Sequence, residues 1–463
     1  MVRLSFDRGT LRIDSAPAAL LESLADIVRF DERTGHHRAA AYRYARVLDA
    51  ARGQAAASLE DEIALGWRRS TQTSPPALRP YQEQAVSAFE TFGRRGVIAL
   101  PTGSGKTRVA TAAIARAASS ALVLVPTRVL LEQWTAVLRA HFGGPIGAVG
   151  DGLKQIEPLT VMTFESAYRS LDRFGDRFEM LVVDEAHHFS GGLRAEALEM
   201  CPAPMRLGLT ATPPSPGTAG AARLCDLIGP TVFELEIADL AGSALAALDV
   251  VRVHVALNGQ ERAQYRSDIE PFESLRRDVL RNNPDADWLA CVRAIARMPG
   301  GADVLARMQR AGALAAFPHA KRVVARELLA RHRADRTLLF TAIAKDAVTI
   351  AEESLIPVIT AEVPREERDA ILDAFRGRRI RAIVSARVLN EGVDVPDANV
   401  AIIVAGALGV REHVQRIGRI LRPREGKRAT AYELVTMDTV DEARTRARGR
   451  RHAAGRSSAR HVA

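Results

Sequence analysis

The 463-residue sequence has few of the residues that stabilise secreted or membrane proteins. Its three cysteines, Cys201, Cys225 and Cys291, form no CxxC pair, which argues against a disulfide framework and a zinc knuckle. No stretch approaches the roughly 18 uncharged apolar residues of a membrane span, and the first residues lack the apolar core of a signal peptide. We therefore expect a cytoplasmic protein with no membrane partner.

Lysine is also scarce, since it supplies five of the 64 basic residues and arginine supplies the rest. The net charge of +9 and a pI near 9.9 suggest a polyanionic partner. A GC-rich coding bias would produce the same arginine excess, however. Residues 441–463 carry seven arginines against Asp441 and Glu442, a net +5. Net charge is therefore weak evidence for nucleic-acid binding.

Hydrophobic patterning predicts an α/β protein with several domains. Alternation around residues 7–10 predicts a β-hairpin, and helices are predicted over 18–28 and 37–51. Two later regions alternate buried strands with helices, which is typical of parallel sheets. The predicted strands are 96–100, 121–125, 159–162, 180–183 and 205–209, then 337–340, 358–359, 382–384, 400–404 and 431–434. The expected domains are 1–75, 76–257, a helical insertion at 258–320, 321–440, and a disordered tail at 441–463.

A glycine-rich loop follows an apolar run and precedes an alanine-rich helical stretch. Its residues are Pro101, Thr102, Gly103, Ser104, Gly105, Lys106 and Thr107. Glycines let the backbone wrap a phosphate, and N–H groups at a helix start donate to it. We expect Lys106 to reach the β- and γ-phosphates and the Thr107 hydroxyl to hold Mg²⁺. ATP is the expected nucleotide, because no guanine-reading motif is visible.

A second apolar run ends in an acidic pair, Asp184 and Glu185. Asp184 is expected to hold the Mg²⁺, and Glu185 to orient and deprotonate the attacking water. The adjacent His187 and His188 raise a zinc site as an alternative, but they lack the i, i+4 spacing and a third ligand. The two motifs together predict nucleotide hydrolysis without indicating what the hydrolysis drives.

Arginines recur at every third position in segment 414–423. Arg416, Arg419 and Arg422 would lie near one face of a helix. Such a face opposite a triphosphate stabilises transition-state charge, as an arginine finger does. A solvated basic helix is the alternative, but it does not account for Gln415 beside these arginines.

These motifs together resemble the core of a superfamily 2 helicase, which has two RecA-like lobes with ATP in the cleft between them. Nine elements occur in the family's order over about 340 residues. They are 78–82, 101–107, 126–128, 163–166, 184–187, 209–213, 339–341, 385–394 and 415–422. More narrowly, segments 30–44, 228–235, 390–399 and 418–423 resemble the XPB-type DNA helicases of nucleotide excision repair, in their compact archaeal and bacterial form.

The resemblance implies roles for individual residues. Arg79 and Gln82 would contact adenine, and Gly392 and Asp394 would line the cleft from the second lobe. The implied catalytic residues are Lys106, Asp184, Glu185, Gln415, Arg419 and Arg422. The implied coupling residues are His187, Thr210 and Thr212. The implied contacts to the DNA backbone are Thr127, Arg128, Thr163, Thr341 and Ser385. Each of these hydroxyls has a structural alternative, the capping of a helix or strand end.

Segment 213–220 departs from the XPB pattern. The family usually carries Arg-Glu-Asp shortly after its Thr-Ala-Thr motif, in a loop associated with strand opening. Here the segment has three prolines and no charge, and prolines disfavour regular structure. We therefore expect a DNA-dependent ATPase and translocase whose strand separation is weak or depends on a partner.

The expected function is thus an ATP-dependent DNA helicase or translocase in DNA repair, 3′→5′ by resemblance. The same resemblance implies a damage-recognition-like N-terminal domain and a DNA-gripping thumb in the helical insertion. We expect a monomer that binds single-stranded or forked DNA and, as a further partner, a structure-specific nuclease.

The motor of a restriction or defence system and an RNA helicase stay open as alternatives. A ring-forming remodeller is disfavoured because the arginines are in the same chain. A catalytically dead binding module is disfavoured because the catalytic residues are present.

Overall fold

The computed structural model describes residues 1–53, 59–63, 74, 76–192, 195–240, 247–386, 398–405 and 428–446. These residues form two compact units, one within Met1–Leu240 and the other beginning after Leu240. None of the helices in these ranges is long and apolar enough to span a bilayer.

The first unit begins with a small mixed sheet. Its elements are β1 (Val2–Asp7), β2 (Thr10–Asp14), α1 (Ala18–Ser23), β3 (Arg29–Asp31), β4 (His36–Ala40), α2 (Tyr44–Gly53) and β5 (Leu59–Asp61). The strand order is β3-β4-β2-β1-β5. The predicted hairpin is confirmed, with Leu4 opposite Ile13. Alternate side chains along β2, Leu11 and Ile13, are buried, as a period of two requires.

The predicted helix over 37–51 is wrong in its first part. β4 pairs antiparallel with β2 and places Ala39 in the core of the small sheet. Helix α2 therefore begins only at Tyr44. Helix α1 also ends early, at Ser23 rather than at residue 28. Pairing with a distant strand overrides local helical spacing, which is a weak constraint on short segments.

The first parallel-sheet lobe follows in the same unit. Its elements are α3 (Pro80–Thr91), β6 (Arg95–Ala99), α4 (Lys106–Ala117), β7 (Ala121–Val125), α5 (Arg128–His141), β8 (Ile146–Gly150), β9 (Leu153–Gln155), β10 (Leu159–Thr163), α6 (Phe164–Ser170), β11 (Met180–Val183), α7 (Glu196–Glu199), β12 (Met205–Thr210), α8 (Ala219–Leu227), β13 (Thr231–Glu234) and α9 (Ile237–Leu240). The strand order is β13-β6-β12-β11-β7-β10-β8-β9. The five predicted strands are confirmed. β8 was missed because it contains Gly147 and Gly150, which are poor strand formers.

The small sheet packs on this lobe through a polar junction. Tyr42 donates its hydroxyl to Asp226 of α8 at 2.8 Å, and Arg43 forms an ion pair with the same carboxylate at 2.8 Å. Tyr42 also belongs to the buried core cluster of the lobe. The small N-terminal domain and the first lobe therefore form one packed unit.

The second unit contains the second parallel sheet. Its elements are β14 (Ala247–Val255), α10 (Gly259–Asn282), α11 (Trp288–Ala296), α12 (Gly301–Ala316), α13 (His319–Arg331), β15 (Thr337–Thr341), α14 (Ala344–Ser354), β16 (Val358–Ile359), α15 (Arg365–Arg376), β17 (Ala382–Ala386), β18 (Val400–Ile403) and β19 (Arg428–Thr436). The strand order is β14-β19-β18-β15-β17-β16, and every pair is parallel. The five predicted strands are again confirmed.

Strand β14 is placed differently from our expectation, which put residues up to 257 in the first lobe. It pairs with β19 from Ala247 to Val255, so it belongs to the second sheet. Periodicity reveals a strand but not its partner. The nine-residue pairing with β19 shows that β14 belongs to the second lobe.

The insertion at 258–320 is helical, as predicted, and α10 to α12 enclose a core that includes Tyr265, Phe272 and Ile295. The prediction that the tail at 441–463 is disordered is wrong for its first residues. Residues 440–446 are helical, and Asp441 pairs with the fully buried Lys321 at 2.8 Å. This burial ties the segment to the second lobe. Residues 447–463 lie outside the described residues.

Candidate active site

The glycine-rich loop joins β6 to α4, as the sequence predicted. Gly103 (φ 87°) and Gly105 (φ 84°) have left-handed backbone conformations that favour glycine. A Cβ at Gly105 would lie 2.6 Å from the side-chain nitrogen of Gln82. Lys106 then begins α4, whose first N–H groups have no partner within the helix. The loop thus has the backbone of an anion site at a helix start.

Helix α3 supports this loop from behind its backbone. Tyr81 and Gln82 both donate to the Ser104 carbonyl, at 2.6 Å and 2.7 Å. The carbonyl end of Gln82 accepts from the Arg79 N–H at 2.9 Å, which caps α3. Burial raises the pKa of the Tyr81 phenol, so it donates as a neutral hydroxyl. Tyr81 is not among the predicted site residues, although it stands beside Gln82 in the same motif.

The polar groups of the loop suit a polyphosphate. The Ser104 hydroxyl is held by the Pro101 carbonyl at 2.7 Å, and the Lys106 ammonium lies 3.3 Å from the Leu100 carbonyl. The Thr102 hydroxyl oxygen is buried and has no hydrogen-bond partner among the described residues. A buried donor of this kind is costly unless a ligand satisfies it. The loop therefore fits a bound phosphate chain, with the half-buried Thr107 at the helix start.

The acidic pair lies at the carboxyl end of β11. One oxygen of Asp184 accepts from the Trp134 indole at 2.9 Å, and the other accepts from the Glu185 N–H at 3.0 Å. Each carboxylate oxygen can accept about two bonds, so both keep capacity for a cation. Glu185 has a left-handed backbone (φ 50°), which is uncommon outside glycine and asparagine. Such strain often marks a functional position.

The three expected coupling residues are brought together with Glu185. The Nδ1 atom of His187 lies 3.1 Å from the Thr210 hydroxyl and 3.5 Å from the Glu185 carboxylate. The Thr212 N–H donates to the same Thr210 hydroxyl at 3.1 Å. A continuous polar contact therefore runs from the end of β12 to the acidic pair.

The residues expected to contact DNA fall into two groups. In the first lobe, Thr127 caps α5 and Thr163 caps α6, and each accepts from a backbone N–H at 3.3 Å. Arg128 begins α5, has a side chain 64% exposed, and pairs with Asp151. Thr127 and Thr163 are thus helix caps, which is the structural alternative to DNA contact. All three residues also lie at helix starts, where phosphates bind.

In the second unit, Thr341 and Ser385 are both 0% exposed. Their hydroxyls donate to the carbonyls of Ile343 at 3.0 Å and Ile359 at 2.9 Å. In this conformation neither hydroxyl is available to a phosphate. The remaining second-lobe predictions, Gly392, Asp394, Gln415, Arg419 and Arg422, lie outside the described residues.

Comparison with protein families divides the chain in the same order. A helicase damage-recognition domain, that of xeroderma pigmentosum group B, matches residues 4–63. The family described as "Type III restriction enzyme, res subunit" matches residues 76–215. The helicase conserved C-terminal domain matches residues 320–424.

A relative matched over most of its length decides the family. The chain is 34% identical over 368 residues to a Sulfurisphaera tokodaii protein named "DNA 3'-5' translocase XPB2", covering 79% of this chain and 82% of the relative. The chain belongs to the XPB-type superfamily 2 helicases. It is also 30% identical to a Mycobacterium tuberculosis protein named "DNA 3'-5' helicase XPB", covering 79% of this chain but only 61% of that relative. This XPB-type chain is accordingly an ATP-hydrolysing enzyme.

Solved structures support the fold of this XPB-type chain. The Hef helicase domain of Pyrococcus furiosus superposes with a TM-score of 0.51 at 18% identity, over 80% of this chain and 98% of that one. A Dbp5 variant from S. cerevisiae, bound to RNA and ADP BeF3, gives a TM-score of 0.53 at 18% identity, over 80% and 86%. Both confirm the architecture of RecA-like lobes.

Proposed function

We propose that this XPB-type protein is an ATP-dependent DNA translocase of 3′→5′ polarity that acts in DNA repair. The glycine-rich loop, the His187–Thr210 contact and the Asp184–Glu185 pair carry the proposal, because they supply hydrolytic and coupling groups at the ends of the neighbouring strands β6, β12 and β11. DNA as substrate and the polarity follow from the names of the relatives, which are 34% and 30% identical.

The first lobe supplies most of the described chemistry. Mg²⁺, held by Thr107 and Asp184, would neutralise phosphate charge when it is bound with ATP. Lys106 reaches the terminal phosphates, while Glu185 orients the attacking water and accepts its proton. His187 lies within 3.5 Å of the Glu185 carboxylate and so relays the position of Thr210 to it.

By the family resemblance, residues of both lobes would contribute to the site. Arg79 and Gln82 begin α3 beside the loop and would contact adenine. In the second lobe, Gly392 and Asp394 would line the cleft and Gln415 would join the catalytic set. Arg419 and Arg422 would stabilise transition-state charge, as arginine fingers do.

We propose that the DNA backbone contacts Thr127, Arg128 and Thr163 at the starts of α5 and α6. Hydroxyls, amides and an arginine on phosphates suit a motor that must ignore sequence. Thr341 and Ser385 could join this track only by leaving their carbonyl partners. Among the residues that the structure describes, those of the first lobe should therefore make most of the contacts to the DNA backbone.

The charge-free segment after Thr212 supports translocation with weak strand separation. Residues 211–218 form no helix or strand, and no charged side chain lies between Pro213 and Gly220. The test is strand displacement on a forked duplex by the purified protein. Robust displacement without a partner would overturn this part of the proposal.

We also propose roles for whole regions of the chain, on the basis of the family resemblance. The small N-terminal domain (1–75) would sense damage, and the helical insertion (258–320) would grip DNA as a thumb. The pattern bounds the lobes at 76–257 and 321–440, whereas sheet membership assigns residues up to Leu240 to the first lobe and Ala247–Val255 to the second. We further propose a cytoplasmic monomer that works with a structure-specific nuclease.

ATP hydrolysis measured with and without nucleic acid tests the proposal. Single-stranded, duplex and forked DNA, and RNA of equal length, are compared in the wild type and in Glu185→Gln. We expect stimulation by DNA in the wild type and none in the variant. Equal rates with and without every DNA would contradict the proposal, and preference for RNA would favour an RNA helicase.

The match of 76–215 to a restriction-enzyme subunit supports a second candidate, the motor of a defence system. The damage-recognition match over 4–63 favours repair instead. DNA with a bulky lesion separates the two, because a repair motor should bind it more tightly than undamaged DNA. Equal affinity for the two DNAs would favour the defence motor.

A further inference from the structure

Helix α5 connects two features of the first lobe that the sequence motifs keep apart. Its N-cap is Thr127, which we propose as a contact to the DNA backbone. Trp134 follows seven residues later, about two helical turns along the same helix. Its indole N–H donates to Asp184 at 2.9 Å. The helix therefore starts at a proposed DNA contact and reaches the carboxylate expected to hold the metal.

The contact between Trp134 and Asp184 is buried on both sides. Trp134 is 1% exposed and Asp184 is 6% exposed. A hydrogen bond to a carboxylate gains strength where water is excluded. With the Glu185 N–H on the other oxygen, the two bonds fix the rotation of the carboxylate. A fixed carboxylate meets the strict geometry that Mg²⁺ requires of its ligands.

We propose that Trp134 is a positioning residue that orients Asp184 for Mg²⁺, and that α5 thereby transmits DNA contact at Thr127 to the metal carboxylate. This inference rests on the proposed function, since it needs DNA and Mg²⁺ as ligands. It adds Trp134 to the coupling set of His187, Thr210 and Thr212, by a separate route. A purely structural tryptophan would also bury its N–H against a partner, but removing that donor would then leave the Mg²⁺ dependence unchanged.

The variant Trp134→Phe removes the donor and keeps an aromatic ring in the core. Outer-shell partners of metal ligands typically contribute about 10- to 100-fold in metal affinity or activity. We expect the Mg²⁺ concentration for half-maximal ATPase to rise by at least about tenfold, with most of kcat recovered at high Mg²⁺. Binding of Mn²⁺ in the presence of ADP, followed by electron paramagnetic resonance, should weaken by a similar factor without any turnover.

Thr135→Val is the matched control. Thr135 is the next residue of α5, is also buried, and donates its hydroxyl to the Leu131 carbonyl of its own helix. We expect this variant to keep the wild-type Mg²⁺ dependence. If Trp134→Phe and Thr135→Val show the same Mg²⁺ and Mn²⁺ dependence as the wild type, Trp134 has no positioning role.

The coupling through α5 predicts a further difference. Single-stranded DNA should lower the half-maximal Mg²⁺ concentration of the wild type, and Trp134→Phe should lose this shift. If DNA fails to stimulate the wild type at all, the proposed function fails. If DNA stimulates and the shift persists in Trp134→Phe, only the present inference fails.

A measurement on the folded wild type covers the case in which Trp134→Phe does not fold. The chain has three tryptophans, so ¹⁵N labelling gives three indole resonances, assigned with Trp67→Phe and Trp288→Phe. We expect the Trp134 resonance to move when Mg²⁺ and ADP are added, and again when DNA is added. A resonance that neither addition moves would overturn the proposal.

Discussion

The two parallel-sheet lobes share an architecture but differ in what their strand ends do. In the first lobe, the end of β11 carries a carboxylate held by an indole and an amide, and the end of β12 carries a threonine bonded to His187. In the second lobe, the hydroxyls of Thr341 and Ser385 donate to backbone carbonyls. One fold thus joins acidic and hydroxyl side chains to one another and to an indole at the strand ends of one lobe, and binds hydroxyls to backbone carbonyls in the described part of the other.

Buried cations sharpen the same contrast. Arg206 of β12 is buried in the first lobe and donates to the carbonyls of Ala203, Leu198 and Leu227. Burial lowers its pKa to about 10, which still leaves it charged at neutral pH. Lys321 in the second lobe is instead neutralised by Asp441 at 2.8 Å. The second lobe therefore relies on an ion pair where the first relies on backbone dipoles.

The largest expected effect comes from Glu185→Gln in the first lobe. Loss of a general base costs about 10²- to 10⁴-fold in rate, so DNA-stimulated hydrolysis should fall by that factor while ATP still binds. Glu90→Gln on α3, where Glu90 pairs with Arg116 of α4, is the control and should keep the wild-type rate. A Glu185→Gln enzyme within tenfold of the wild type would remove the chemical distinction between the lobes.

Lys321→Met should have the largest effect in the second lobe, on stability rather than on catalysis. Removal of one partner of a buried ion pair typically costs about 3–5 kcal/mol. We expect a loss of this size in the free energy of unfolding, measured with urea. The double variant Lys321→Met, Asp441→Leu should recover much of it, since no buried charge is left unpaired. A single variant as stable as the wild type would contradict this role.

Arg128→Gln and Thr341→Val compare the proposed DNA contacts directly. Arg128→Gln should weaken DNA binding and reduce the slope of log affinity against log salt by about one. Arg169→Gln on α6 is the control, because its side chain is 73% exposed against 64% for Arg128 and is likewise paired with a carboxylate, that of Glu165. Thr341→Val should leave the salt slope unchanged and cost about 1 kcal/mol of stability. A reduced slope in Thr341→Val would show that its hydroxyl reaches DNA.

The smallest expected effect is a pH dependence of the stability of the second unit. Burial raises the pKa of Asp346 to about 6, above the value of about 3.9 in an unfolded chain. The folded state therefore binds the proton more tightly, and stability should fall as pH rises from about 4 to 6. Asp346→Asn should flatten this slope in urea unfolding. An unchanged slope in the variant would assign the effect to another group.

Much of the fold could be predicted because runs such as β7 and β11 are buried along their whole length. β4 could not, since its local spacing is helical and only its pairing with β2 makes it a strand. β14 looked like a strand, but the ladder with β19 decides its lobe. The start of the tail has no apolar periodicity, and a buried ion pair orders it instead.

The site divides in a similar way. The glycine-rich loop and the acidic pair have fixed spacing, so their residues could be named from the sequence. Trp134 and Tyr81 could not be assigned, because their contacts join residues 50 and 23 positions apart. A buried indole or phenol needs a partner, but only the fold shows which one.

Translocation along single-stranded DNA tests the central claim most directly. A fluorophore at the 5′ end of strands of increasing length reports the arrival of the protein after ATP and Mg²⁺ are added. We predict a lag that grows linearly with strand length, that is absent with a 3′ label and that disappears in Glu185→Gln. Arrival at a time independent of length, or the same behaviour with either label, would contradict a 3′→5′ ATP-driven translocase.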